Sequence, residues 1–304
     1  MSGARCSPDH SQRGFVIVVV LWILLALSSL AMIFALYLSA SARAMALGDT
    51  ALQNEALVSA GIELTAYQLI LAGDDARPAR GSFHFRMDDA NVGVTFTSEA
   101  ARIDLNLASK EVLAAFLAGL GASKDAANED AERIVGWRTP PTPGSTNDEA
   151  ARYAALGYSP RQSLFTHVNE LALVTGLPPA LVDRALPFVT IFNGSADIDA
   201  TIAAPEVVAA FARRSNANMD PFGSAMGPSN DPLAGADPSA PTKSNLPKAK
   251  SPCYRVETTI GFANGRRATS EVVIALGDKR EPYRVLSWQD DVVPTHTRLE
   301  RRGS

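Results

Sequence analysis

Few side chains in this sequence are spaced for chemistry. The four histidines, His10, His84, His167 and His296, lie too far apart for a short metal motif, and two cysteines, Cys6 and Cys253, cannot build a disulfide framework or a cysteine-rich zinc site. Ser163 and His167 are near neighbours, but no acid–base constellation forms around them, and a lone surface histidine accounts for His167. No glycine-rich phosphate loop, nucleophile elbow or zinc-binding helix occurs. Asp148 and Glu149, preceded by Asn147, suit the acidic first turn of a helix, where negative charge meets the positive end of the dipole. The chain is therefore not expected to be an enzyme. The most distinctive short motif stands elsewhere: Arg13-Gly14-Phe15, behind a polar leader and directly before an uncharged run.

That run explains what the motif is attached to. Phe15 to Ala42 are 28 residues without a charge, sixteen of them Leu, Ile, Val or Phe. As a helix they span roughly 42 Å, more than a hydrocarbon core of about 30 Å. A secretory signal peptide has an apolar stretch of only about 7–15 residues, although Ser39-Ala40-Ser41-Ala42 resembles its cleavage site. A lipoprotein would carry its cysteine after the run, whereas Cys6 precedes it. An uncut single span fits the length, with Arg5 and Arg13 holding the N-terminus in the cytoplasm.

Residues 43–72 continue the helix. They contain no proline, and Leu47, Leu52, Ala56, Leu57, Ala60, Leu64, Tyr67 and Leu71 recur near helical spacing. From Phe15 to Leu71 one rod of about 86 Å is expected, half in lipid and half amphipathic. Residues 81–100 alternate, with Phe83, Phe85 and Met87 on one face and a second run through Val92, Val94 and Phe96, which predicts a β-hairpin. Residues 101–213 have a helical texture. Ser109 is positioned as an N-cap and Gly121 as a stop, and related patterns return after Val168-Asn169-Glu170-Leu171 and Asp197-Ile198-Asp199-Ala200. Such an array is helix–hairpin–helix-like, a design that binds DNA phosphates in other settings. Against that, residues 101–200 hold eight Lys/Arg and twelve Asp/Glu, and the Gly119-Leu120-Gly121 hairpin has no basic residue within two positions. The whole chain, at 304 residues, is mildly acidic, with 28 basic and 32 acidic residues giving −4. No nucleic-acid partner is expected, and a membrane-anchored DNA-binding or uptake protein stands as the alternative.

Residues 214–251 are rich in proline, glycine and small polar residues and read as a flexible linker. Residues 252–291 return to strands. Tyr254–Phe262 alternates, Asn264-Gly265 signals a two-residue hairpin, Thr269–Leu276 supplies its partner and Tyr283–Trp288 a third strand. Val256, Ile260, Val273 and Trp288, or their opposites, should face the helix. Cys253 has no partner once the leader bearing Cys6 is removed, and residues 292–304 form a polar tail.

With these residues in place, two resemblances can be stated. Arg13-Gly14-Phe15 before an apolar run resembles the type IV pilin class. That resemblance implies a leader of residues 1–14, cleavage by a prepilin peptidase between Gly14 and Phe15, N-methylation of Phe15, and an inner-membrane half at 15–42 followed by a periplasmic half at 43–72. Most pilins carry glutamate five residues into the mature chain; here that position is Val19. A buried amino-terminal cation is costly without a counter-charge. A subunit that has the amine but lacks the glutamate can be partnered from behind and offers nothing ahead, which suits a filament tip.

The larger pattern resembles the minor pseudopilin K family of type II secretion, the general secretion pathway protein K family. It is carried by Gly14-Phe15, the glutamate-less span, Arg102-Ile103-Asp104-Leu105-Asn106-Leu107-Ala108-Ser109, Ile134-Val135-Gly136-Trp137-Arg138, Val168-Asn169-Glu170-Leu171 and Leu186-Pro187-Phe188-Val189-Thr190-Ile191-Phe192. The resemblance implies an α+β fold, a long N-terminal transmembrane helix packed on a small antiparallel sheet, with a large all-helical domain inserted. It also implies a single-pass protein of the bacterial inner membrane, bulk in the periplasm, that assembles with minor pseudopilins I and J. Family members can bind calcium in the insert. Here the acids that usually flank the tryptophan are replaced by Gly136 and Thr139, leaving Asp148 and Glu149 as the nearby candidates. Calcium takes six to eight oxygens, so no metal is expected.

Overall fold

The computed structural model describes residues 12–141, 148–154, 156–217, 249–278 and 280–292, with side chains except at 12–14, 40–49, 148 and 214–217. The leader up to residue 11, the linker at 218–248 and the tail from 293 lie outside the described residues. The chain divides into two compact units, Met1–Leu57 and Val58–Ser304.

The first helix, α1 (Gln12–Leu71), begins three residues ahead of Phe15. Gly14 lies inside it, which costs a helix about 1 kcal/mol and does not break it. A run such as Val16-Ile17-Val18-Val19-Val20 has β-branched side chains that disfavour helix in water. In lipid the backbone must bond within the segment, so helix wins. Ser29 hides its hydroxyl by donating to the Ala26 carbonyl at 3.0 Å.

In the second unit the last turns of α1 become amphipathic. Val58, Ile62, Thr65, Ala66 and Leu69 are buried at the spacing of one helix face. They lie on a five-stranded antiparallel sheet of β1 (Arg80–Met87), β2 (Ala90–Ser98), β5 (Cys253–Phe262), β6 (Arg267–Leu276) and β7 (Tyr283–Asp290), ordered β1-β2-β5-β6-β7. A short helix, α2 (Gly73–Ala76), precedes β1. Register fixes the helix-facing row: Phe83 opposes Val94, Val94 opposes Thr258, and Thr258 opposes Ser270. Gly61 lets α1 sit close, because a Cβ there would stand 3.1 Å from Val94 Cγ2. Gly81 serves the same end within the sheet: its Cβ would fall 2.5 Å from the Phe96 ring.

Three expectations for the sheet need correction. Val256 and Ile260 do face the helix, together with Val272, but Val273 is buried on the opposite face and Trp288 is only half-buried. Trp288 lies on the last strand, where no further strand covers it among the described residues, and its Nε1–H donates to Asp290 at 2.9 Å. The Asn264-Gly265 turn is longer than two residues. Phe262 N–H donates to the Arg266 carbonyl at 2.9 Å and Gly265 N–H to the Phe262 carbonyl at 3.0 Å, with Gly265 at φ 83°. This is a three-residue loop with glycine in the left-handed position. Conversely, the first hairpin closes through Asp88-Asp89 alone, and Ala90-Asn91 already belong to β2.

The chain leaves the sheet after β2 and re-enters at the adjacent β5, so residues between are a true insertion. The insert contains β3 (Ile103–Asp104), α3 (Lys110–Gly119), α4 (Lys124–Arg138), α5 (Asp148–Ala154), α6 (Pro179–Ala185), β4 (Val189–Thr190) and α7 (Pro205–Ala217). β3 and β4 pair in parallel. Ser109 caps α3 by accepting Val112 N–H, and Gly121 at φ 100° turns the chain into α4. Val168–Leu173 is a 3-10 helix rather than an α-helix. The stretch 197–204 forms turns, because Asp199 Oδ1 takes the Thr201 N–H at 3.0 Å and diverts the backbone from helix. The last insert helix extends to Ala217, beyond the expected end at 213. The insert has its own core, including Ile103, Leu105, Phe116, Ile134, Trp137 and Leu171.

Candidate functional site

The N-terminal motif sits at the start of the long apolar helix. Phe15–Ser39 is a 25-residue stretch long and apolar enough to cross a membrane, and none of it is buried within the protein. Phe15 is 72% exposed and Val19 is 39% exposed. Position 19 thus presents an apolar side chain on the helix surface. Gly14 belongs to the helix, and the residues before Gln12 lie outside the described set.

The motifs in the insert converge on structure, not catalysis. Asp104 Oδ1 accepts Asn106 N–H at 2.8 Å and its Oδ2 accepts Gly194 N–H at 2.9 Å. Burial raises the Asp104 pKa, while these backbone donors oppose the rise. Asn106 grips the backbone of Phe165 twice, donating to its carbonyl at 3.1 Å and accepting its N–H at 2.7 Å. Arg138 donates to the carbonyls of Leu105 and Ala108, and so ties the end of α4 to the turn between β3 and α3. Trp137 stacks among Tyr153 and Phe165 and donates from Nε1 to Glu170 at 3.3 Å. Glu170 also accepts the Thr166 N–H at 3.0 Å and the Thr166 hydroxyl, so the sequence Val168-Asn169-Glu170-Leu171 is a clasp for the preceding loop.

A buried ionic junction joins insert to sheet, and no local pattern in the sequence marks it. Glu99, fully buried after β2, receives Arg255 Nε from β5 at 2.8 Å, Arg102 Nη1 at 3.2 Å and the Thr190 hydroxyl from β4. Arg255 also pairs with Glu271 on β6, and Arg102 Nε donates to the Pro187 carbonyl at 3.2 Å. Burial alone would raise the Glu99 pKa, but Arg255 and Arg102 outweigh it and hold the carboxyl down at about 2. The same field raises Arg255 against its own desolvation. Arg102 is lowered by burial and by Arg255, yet a guanidinium keeps its proton. Two cations and two carboxylates therefore lock the base of the insert onto the sheet.

Of the two calcium candidates, only Glu149 has a described side chain. Glu149 lies against Gly136, where even a Cβ would meet its carboxyl at 2.8 Å, and it faces Arg152 at 3.8 Å. Burial raises its pKa, and Arg152 and Arg133 oppose the rise. The side chain of Asp148 lies outside the described set. Among the described residues no group of three His, Cys, Asp or Glu side chains converges. Ser163 and His167 are not brought into a catalytic set: the His167 Nδ1 accepts the Asn169 N–H at 3.1 Å and caps the 3-10 helix. Cys253 is free and buried, its thiol pushed up to about 11 by burial and by Glu99.

An apolar N-terminal helix whose end packs on a small antiparallel sheet, with a helical domain inserted between adjacent strands, defines an α+β pseudopilin-like protein. Residues 95–194 match the family model of protein K of the type II secretion system. Among solved structures, a chain of the GspK-GspI-GspJ complex from the type 2 secretion system of enterotoxigenic Escherichia coli is similar, with TM-score 0.55 and 17% identity over 79% of this chain and 96% of that chain. No curated protein matches the chain. The family match falls on the end of β2 and the insert, and the solved chain shares the α+β fold.

Proposed function

We propose that this chain is the tip subunit of a type II secretion pseudopilus, assisting its assembly and the export of proteins across the outer membrane. The observation that carries the proposal is the membrane-length apolar helix with Val19 at the position where a filament subunit would carry a carboxylate. A prepilin peptidase would cleave after Gly14, and Phe15 would be N-methylated. Before assembly the single span sits in inner-membrane lipid with the N-terminus cytoplasmic and the bulk periplasmic. The resulting cationic amine is neutralised from behind, and no acid is presented ahead. The insert, a domain with its own core on the side of the sheet fold, adds bulk that prevents another subunit from stacking in front. Minor pseudopilins I and J are the partners, in keeping with the complex in which the similar solved chain occurs.

Mass spectrometry of membrane-extracted protein should find an N-methylated Phe15. An intact Met1, or a terminus at Arg43, would overturn the processing step. Co-purification with I- and J-type pseudopilins tests the assembly step.

One observation favours the DNA-handling alternative. The fold brings Arg184 and Arg213 beside the glycines of the α3–α4 hairpin, with guanidinium nitrogens 3.2 Å from a Gly121 Cβ position and 3.5 Å from a Gly119 one. Arg213 is, however, already engaged with the Ala115 carbonyl at 3.1 Å. Salt-dependent binding of duplex DNA to the full chain would favour this alternative over the first.

A further inference from the structure

Strand β1 is an outer strand of the sheet, with no strand beyond it among the described residues. Its hydrogen bonds to β2 have a fixed phase. Ser98 N–H donates to the Ala79 carbonyl at 2.7 Å, and on the other side of β2 Ala263 N–H donates to the Asp89 carbonyl at 3.1 Å. In an antiparallel ladder, bonded and non-bonded pairs alternate. Gly81, Phe83, Phe85 and Met87 therefore spend their backbone groups on β2. Arg80, Ser82, His84 and Arg86 direct theirs to the open edge.

The same four residues also share the sheet face away from α1. The odd residues Phe83 and Phe85 point to the helix, and Arg80, Ser82, His84 and Arg86 are all exposed on the other side. Arg80 and Arg86 form no ion pair among the described residues, in a chain whose net charge is −4. Beside this stripe the sheet surface is worn down to small side chains. One groove of about 760 Å³ is lined by Arg80, Ser82, Thr95 and Thr97 against Phe188 and Pro205 of the insert. A second, of about 550 Å³, is lined by His84, Arg86, Gly93, Thr259 and Gly261. Glu257 also lines the first groove, and its charge is felt by Arg102.

The geometry points to a docking site for an extended acidic polypeptide segment that adds to the sheet as a strand alongside β1. An added strand would take the outward N–H and C=O groups of the even residues. Its alternate side chains, about 7 Å apart, would fall on the same face as Arg80 and Arg86, so acids placed opposite them meet fixed positive charge. Cationic edge residues also guard sheets against aggregation. The two grooves lie over the sheet face immediately inward of this edge, so the face that an added strand would extend is open there. The occupant is identified by chemistry only: a β-forming segment with period-two Asp or Glu, from another protein. This inference does not depend on the filament-tip proposal.

The test uses the full chain in detergent and fluorescein-labelled ten-residue peptides, one alternating Glu with Val and one alternating Lys with Val, read by anisotropy. The Glu/Val peptide should bind at least about ten-fold more tightly than the Lys/Val peptide, and rising salt should weaken it. The double variant Arg80→Glu with Arg86→Glu should reverse the preference. Ser82→Pro removes an outward N–H without removing a bond to β2, and should weaken the Glu/Val peptide at least about ten-fold while circular dichroism stays unchanged. Equal binding of the two peptides, a preference that survives charge reversal, or indifference to Ser82→Pro with the charge-reversed variant also silent, overturns the inference. A short-chain phosphatidylglycerol that binds through the same arginines while neither peptide binds assigns the stripe to lipid headgroups and overturns it as well.

Discussion

At the scale of single residues, Glu99 is the position where most is at stake. It lies in the short turn between the sheet and the insert, and its carboxylate is the common partner of Arg102 and Arg255. Removing one member of a buried pair leaves the others charged and dry. Glu99→Gln is therefore expected to destabilise the fold by about 3–5 kcal/mol, measured by denaturant unfolding. The pH dependence has a definite sign. With the folded pKa held at about 2 against an ordinary value of 4.5, the carboxylate contributes its full stability above pH 4.5 and loses it as pH falls toward 2. The gap between native protein and variant should close over that same interval; a gap independent of pH would show that the ionic junction contributes nothing. Cys253 gives a second residue-level prediction. Its buried thiol, raised to about 11, should resist iodoacetamide at pH 8 in the native state and react fully in denaturant. Rapid labelling of native protein would mean that the end of β5 opens.

At the scale of elements, the contact of α1 with the sheet rests on shape more than on polarity. The helix approaches at Gly61, and Val58, Ile62, Ala66 and Leu69 fill the face on either side. Ile62→Ala should cost about 2–5 kcal/mol, because the close-packed site cannot collapse around the void. Gly81→Val should be as damaging by the opposite route, since even a Cβ would overlap the Phe96 ring that lies over the glycine. Phe96→Ala combined with Gly81→Val is the control: if the ring is the obstacle, the double variant costs less than the sum of the single ones. Simple addition of the two costs would place the strain elsewhere.

At the scale of the whole molecule, the sheet and the insert are separable in plan although locked in practice. Ser98 opposes Tyr254 in the β2–β5 ladder, so the chain leaves and returns at neighbouring points. Replacing residues 99–252 by a short glycine-containing loop should keep the sheet and α1 while removing the helical core described for the insert. Circular dichroism should then show lost helix with a retained cooperative transition. Arg255 would still hold Glu271 across β5 and β6. A shortened chain that unfolds would mean that the ionic junction, and not only the hairpin geometry, is needed to close the sheet. By the tip proposal, the shortened protein would still anchor in the membrane but lose its block to further stacking.

The sequence by itself determined the elements whose cause is local. Twenty-eight uncharged residues in a row announced a long apolar helix, alternation marked the strands, and Ser109 and Gly121 announced the ends of α3. Even the turn at Asn264-Gly265 was located, although its three-residue length depends on the register that β5 and β6 adopt together. Only the tertiary structure decided what depends on distant segments meeting. Glu99 and Arg255 are 156 positions apart, Arg184 reaches Gly121 from another helix, and the open edge of β1 exists because of the order of five strands. Periodicity reports which way a side chain faces along its own element. It carries no information about what the rest of the chain brings to that face, and burial, ion pairing and the orientation of backbone bonds are all set there.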